Sequence, residues 1–288
     1  MSAEAAMSDA AMSDAAPQDP HVAEVIDFFG LQSTGTELHW LLPVTYDVAG
    51  ATGTMHGGCA LAAAVAALES VTGRPMAAAS AQYLARLPVD GRAAIALDIG
   101  ASGNRMTQAS AEITDAADGR VILRALVSLG GRQLGIDQTW ATAPDVPPPD
   151  SCAPRGPTSI TGDSFTDQAD IRLAGQQPGE RHVRYWARLG GTLASTGPGL
   201  TALADLLPSG MRVSLDAGFR GSSLDNTVRI SGEAESEWVL LDIESDAVHN
   251  AIGNGIVRIY AADGGLLATG TQSFAITRIT GPLGSPQR

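Results

Sequence analysis

Cys59-Ala-Leu-Ala-Ala-Ala-Val-Ala-Ala-Leu-Glu69 is the stretch on which the fold turns. It holds neither proline nor glycine and is mostly alanine, the strongest helix former, so it reads as a helix. It is apolar almost all the way round, which marks a helix wrapped by other structure and not one lying on a surface. Met55-His56-Gly57-Gly58 opens it and Gly73-Arg74-Pro75 closes it, giving an expected helix over 58–72. Strand-like runs follow at 78–87, 93–99, 106–113 and 121–129, separated by turn signals at 88–91, 100–104 and 115–119. Upstream, 37–46 reads as a strand. Residues 21–29 read as a short amphipathic helix, with Val22, Val25, Ile26 and Phe29 on one face and Gly30 as its stop. One apolar helix covered by the inner face of a curved antiparallel sheet satisfies this order.

The order then recurs. A strand is expected at 181–189, a helix at 199–207, and strands at 223–230, 239–243, 255–260 and 266–276, with Asp263-Gly264-Gly265 as the last hairpin turn. Gly58 matches Gly199, Ser80 and Arg86 match Ser223 and Arg229, Leu97-Asp98-Ile99 matches Leu241-Asp242-Ile243, and Ala117-Asp118-Gly119 matches Ala262-Asp263-Gly264. The matches stay in order while their spacing drifts slowly, as a duplicated unit would give. Two such units would join their sheets edge to edge, hiding strands that otherwise invite aggregation. The expected organisation is a tail at 1–19, a first unit at 20–135, a Pro-rich linker at 136–179 and a second unit at 180–280. The tail repeats Met-Ser-Asp-Ala, is too poor in large apolar residues to bury a core, and is expected to be disordered. Met7 and Met12 are alternative starts within it.

The 288 residues carry a net charge of −13 and a sequence pI near 4.6, which argues against a nucleic-acid binder. Cys59 and Cys152 form no CxxC pattern and no Cys/His cluster, so neither a disulfide framework nor a metal site is expected. No apolar run is long enough to span a membrane and no secretory leader is visible, which makes the cytoplasm the expected location.

In residues and order the chain resembles the double hot-dog acyl-CoA thioesterases, the type II class and its thioesterase-like relatives. The resemblance rests on His56-Gly57-Gly58, Gly91-Arg92 and Asp118-Gly119 in the first half. In the second it rests on Ala204-Asp205-Leu206, Ser223-Leu224-Asp225-Asn226-Thr227, Glu237-Trp238-Val239-Leu240 and the run from Asp263 to Gln272. It spans residues 22–278. It implies a tandem hot-dog fold of the α+β class, hydrolysis of acyl-CoA to free acid and CoA, a place in fatty acid metabolism, and a homo-oligomer without cofactor. It further implies a site made of Asp205, Ser223 and Gln272, where the family's usual hydroxyl residue is threonine. Ser214, in a Ser214-Leu215-Asp216 copy of the motif, is a rival for Ser223.

The chemistry of these residue types agrees. A carboxylate can take a proton from water, while a hydroxyl and an amide hold that water in place. Backbone N–H groups at a glycine-opened helix start can bind a thioester oxygen. This makes His56, Gly57, Gly58 and Gly199 candidate substrate contacts. Asp225 and Asn226 are more simply read as turn and local backbone partners, Glu69 as a solvated helix end, Cys59 as packed, and Trp40, Trp186 and Trp238 as core or tunnel lining. Arg105 and Arg212 are possible phosphate contacts. Two rivals share the fold: a non-catalytic acyl or hydrophobic-ligand binder, and an enoyl-thioester hydratase or dehydratase. The latter needs an Asp/His pair, and in sequence His56 has no acid nearby and Asp205 no histidine.

Overall fold

The alanine-rich run winds into a helix in which every residue from Gly58 to Leu68 is buried, and the rest of the chain is laid around it. A computed structural model describes residues 20–132, 134–159 and 163–281; the repetitive tail lies outside the described residues. The first half comprises α1 (Pro20–Phe29), β1 (Gln32–Thr36), β2 (His39–Pro43), α2 (Gly57–Thr72), β3 (Met76–Tyr83), β4 (Arg92–Ser102), β5 (Met106–Asp115) and β6 (Val121–Gly130). A connecting stretch carries β7 (Ala153–Pro154), α3 (Phe165–Gln168) and β8 (Asp170–Gly175). The second half comprises β9 (His182–Arg188), α4 (Gly197–Ala204), α5 (Leu207–Ser214), β10 (Gly218–Ser223), β11 (Asp225–Ile230), β12 (Val239–His249), β13 (Ile252–Ala261) and β14 (Leu266–Gly281).

All strands belong to one 14-stranded sheet in the order β1-β2-β4-β5-β6-β3-β11-β14-β13-β12-β9-β8-β7, with β10 beside β14. The order from β3 outward on one side mirrors that from β11 outward on the other. This is the tandem hot-dog arrangement, two curved antiparallel sheets joined at a β3–β11 seam where Ser80 lies opposite Thr227. The two ends of the sheet do not join. Inward-facing Ile95, Ile113, Leu123 and Val127 close over α2 in the first half, and Val228, Val257 and Ile259 belong to the same core in the second.

Three local readings change. First, the stretch expected to be linker contributes β8, which pairs with β9. Its 141–152 portion packs Ala141, Val146 and Cys152 over Trp186, Trp238 and Tyr260. Proline density signalled an irregular path there, but the path is against the sheet. Second, the helix expected over 199–207 is two helices broken at Asp205 and Leu206. Pro208 has no N–H to donate to the carbonyl four residues back, so the first helix cannot run through it; the proline instead sits in the first turn of α5. Third, Ser80 is not the counterpart of Ser223. Ser223 pairs with Phe274. The spacing that matches Asp118 to Asp263 sets Phe274 on Leu129, and Leu129 pairs with Met76.

The central helices pack so closely that a methyl at Gly58 would lie 2.5 Å from the Ala202 carbonyl oxygen and 2.8 Å from Asp205 Cβ. Overpacking of this kind costs roughly 1–3 kcal/mol. Gly58→Ala is therefore expected to lower unfolding free energy by that order in urea titrations, with the m-value unchanged.

Candidate active site

The break between α4 and α5 leaves Asp205 at the C-cap of α4, pointing at the start of α2. Its carboxylate is 6 % exposed and receives three donors. The Gly58 N–H donates to Oδ2 at 2.7 Å. The Ser223 hydroxyl donates to Oδ1 at 3.1 Å. The Gln272 Nε2 group donates to Oδ1 as well, and to Ser223 Oγ at 3.0 Å. Asp205, Ser223, Gln272 and Gly58 thus meet from four different elements. Ser214 does not join them; it hydrogen-bonds Ser245 Oγ at 3.0 Å.

His56 precedes α2 and brings its Nε2 to 3.6 Å from Asp205 Oδ2, with Nδ1 3.7 Å from Cys59 Sγ. The expectation that these two lack each other is therefore overturned, because the two half-chains supply one residue each. Burial pushes the imidazole below its ordinary value, more than the Asp205 charge raises it, and Arg155 lowers it further. The ring leans on Phe165 of α3 at 5.2 Å, so the connecting stretch roofs this corner. Arg155 ties that stretch to α5 through Ser209 Oγ at 3.1 Å, and braces α3 through the Thr166 carbonyl at 2.8 Å. Asp167 holds it further through Ser159, Ser164 and Thr158. Burial works to raise the Asp167 carboxyl, but those hydrogen bonds overcome it and hold the group well below the carboxylate range.

Gly57 allows a close approach: a methyl there would come 2.9 Å from both Asp205 Oδ2 and Tyr83 Cε1. Gly199 is not brought to this group. Its N–H is capped by Thr196 Oγ1 at 3.1 Å, and its bare Cα lies against the Leu193 carbonyl. Cys59 is buried, and burial first, then the Asp205 charge, raise its thiol well above the usual range, which leaves no thiolate to act. Asp225 takes the Ser273 N–H at 2.6 Å, the local backbone role expected of it. Glu69 is not simply solvated: its Oε1 accepts the Met76 N–H at 2.8 Å. Trp186 donates to the Pro147 carbonyl at 2.8 Å, and Trp238 lies under the guanidinium groups of Arg172 and Arg188; both sit beneath the connecting stretch, away from Asp205.

Tyr83, at the end of β3, and Asn226, on β11, escaped the sequence reading as a pair. Asn226 is 0 % exposed. Neither of its amide atoms, nor the Tyr83 hydroxyl, nor Gln272 Oε1 closes a hydrogen bond. Each such orphaned group costs about 1–3 kcal/mol. The signal available in sequence was only the amide inside a β-branched strand.

Two family models cover most of the chain. The acyl-CoA thioesterase N-terminal domain matches residues 47–130 and the acyl-CoA thioesterase C-terminal domain matches residues 141–276. The chain belongs to the acyl-CoA thioesterase family. Among solved structures it is similar to a putative thioesterase from Novosphingobium aromaticivorans, at 29% identity and TM-score 0.79, covering 86% of this chain and 98% of that one. It also resembles a protein of unknown function with a hot dog fold from Alicyclobacillus acidocaldarius, at 19% identity and TM-score 0.77, over 88% and 98% of the two chains. An acyl-CoA thioesterase II from Mycobacterium marinum shares the fold at 16% identity and TM-score 0.69, over 91% and 100%. No curated protein matches the chain. Among the described residues, no helix is long and apolar enough to cross a membrane.

The depressed His56 makes a pH prediction for this chain. An imidazole whose folded pKa lies below its unfolded value of 6.5 binds its proton first in the unfolded chain as pH falls. The stability it supports is full above about pH 6.5 and is lost below it. The melting temperature should fall on acidification from neutrality, and His56→Gln should flatten that fall; equal slopes for the two proteins would assign the loss to other groups.

Proposed function

We propose that the chain hydrolyses acyl-CoA thioesters to a free acid and CoA, with Asp205 as the base toward water and Ser223 and Gln272 as the groups that orient it. The observation that carries this reading is the buried Asp205 carboxylate tied at once to Ser223, Gln272 and the Gly58 N–H. Water attacks the carbonyl carbon and its proton passes to Asp205. The tetrahedral intermediate collapses with cleavage of the C–S bond, and the leaving thiolate takes the proton back from Asp205. No redox partner enters the balance. Gln272 uses its amide N–H on Asp205 and Ser223, which leaves Oε1 to accept from the water.

Thiol release from a panel of acyl-CoAs, followed for the wild type and Asp205→Asn, tests the reading. Loss of a general base lowers kcat roughly 10²–10⁴-fold. Unchanged hydrolysis in the variant would remove Asp205 from the chemistry. Tight binding of fatty ligands with no thiol release from any acyl-CoA would favour a carrier on the same fold.

The 3.6 Å approach of His56 to Asp205 supports a second reading, hydration of an enoyl thioester. A neutral imidazole and a carboxylate at the facing ends of two helices can divide proton transfer at Cα and the attack of water at Cβ. Loss of the conjugated enoyl absorbance without thiol release separates it from hydrolysis.

A further inference from the structure

Asp205 engages the N–H that a glycine-opened helix would otherwise offer to substrate, because Gly58 donates to it at 2.7 Å. That removes one first-turn N–H from those available to a tetrahedral intermediate. The inner face of the sheet offers a further row of polar groups. Asn226 lies opposite Ala81 across the seam, and Tyr83 is two residues beyond Ala81 on the same face, a diagonal neighbour. On the other side, continuing the β11–β14 register by one step sets Asn226 opposite Gln272. Tyr83, Asn226 and Gln272 therefore stand side by side on three adjacent strands. The ring of Tyr83 closes on Gly57 beside the Asp205 carboxylate. The unpartnered buried atoms of this region are the Tyr83 hydroxyl, both amide atoms of Asn226 and Gln272 Oε1, all in that row.

We infer that Tyr83 and Asn226 form the binding place of the thioester carbonyl, donating the Tyr83 O–H and an Asn226 amide N–H to its oxygen and to the oxyanion that replaces it. The inference rests on the hydrolase reading for its catalytic consequence, but not for the binding of a carbonyl. Burial first, and the Asp205 charge second, hold the Tyr83 phenol well above the usual tyrosine range, so it stays a donor. Asn226 stands within reach of that phenol and lowers it by less than burial and Asp205 raise it, while neither side chain completes a hydrogen bond of normal geometry. Two donors so placed can converge on a third atom. Such donors are most effective when already in place before charge develops.

Tyr83→Phe removes one oxygen and leaves the ring against Gly57; Asn226→Ala removes the amide. Loss of one oxyanion donor costs about 10²–10³-fold in kcat. Each variant is expected to lose activity on that scale while its melting temperature is held or raised, because an unpaired buried polar group contributes nothing to the fold. A merely structural role would instead lower the melting temperature and spare the folded fraction's kcat.

Titration calorimetry with two unreactive acyl-CoA analogues decides the site even where hydrolysis fails. One is a ketone carrying a methylene between carbonyl and sulfur; the other is a thioether with no carbonyl. The wild type should prefer the ketone, and Tyr83→Phe should weaken the ketone about tenfold or more, the scale of one hydrogen bond in a dry site, with the thioether unaffected. Equal weakening of both analogues, no change in either, or no binding of the ketone to the wild type would overturn the inference. Absence of thiol release by the wild type, with the ketone preference intact, would overturn the hydrolase reading alone.

Discussion

A peptide N–H at the start of one half of the chain donates to a carboxylate in the other, from Gly58 to Asp205 across 147 residues of sequence, and the rest of the structure is arranged to let them meet. The contact requires two helices to approach until a single methyl would collide with backbone, which is why Gly57 and Gly58 face Asp205 and Ala202. It requires small side chains along α2, since larger ones would hold the sheets and the partner helix away. It also requires a fixed relation between the halves, which the antiparallel β3–β11 seam provides by hydrogen-bonding the two sheets into one. The N–H groups of a helix's first turn have no partner within the helix, and here an acid from the other half takes one of them. The charge of Asp205 is thereby held where the helix dipole favours it.

Around this carboxylate the neighbourhood is buried and weakly charged. His56 is kept unprotonated by burial despite standing next to an acid, and Cys59 is kept as a thiol. Asp205 therefore meets neutral donors, and among the described residues its one ion-pairing neighbour is His56, which carries charge only when protonated. The connecting stretch contributes the cover. Phe165 lies on His56, the Phe165 N–H donates to the Ala49 carbonyl at 2.9 Å, and Arg155 and Asp167 fasten the surrounding turns. A segment that reads as a tether between units thus forms part of the wall of the candidate site.

Much of this was legible in the sequence because it was local. The alanine-rich helix, the order of strands and the duplicated unit all follow from composition and punctuation within short windows. The motif around Ser223 and the acid at Asp205 were legible through family resemblance, which carries long-range information that periodicity does not. What escaped was pairing at a distance. His56 and Asp205 are neighbours only because the two halves interlock, and Tyr83 and Asn226 only because β3 meets β11. The break at Asp205 was signalled by Pro208, yet the signal says where a helix ends and not which side chain is thereby turned toward the other half. Ser80 looked like the counterpart of Ser223 because both are serines; the ladders, which fix register by backbone hydrogen bonds, give that place to Met76 instead.

That exchange explains why the two halves are unequal. Glu69 stands near Gly197 at the start of α4 much as Asp205 stands near Gly57 at the start of α2. The first-half acid, however, is engaged by the N–H of Met76. Where the second half brings a hydroxyl to its acid, the first brings a thioether, which donates nothing. Val127 occupies the position that corresponds to Gln272, so no amide is present to orient a water there. The first-half acid thus anchors a backbone N–H, where the second-half acid holds a hydroxyl and an amide. The duplicated unit therefore supplies the candidate site with a helix start, a tyrosine and a seam, while the acid, the hydroxyl and both amides come from the second copy.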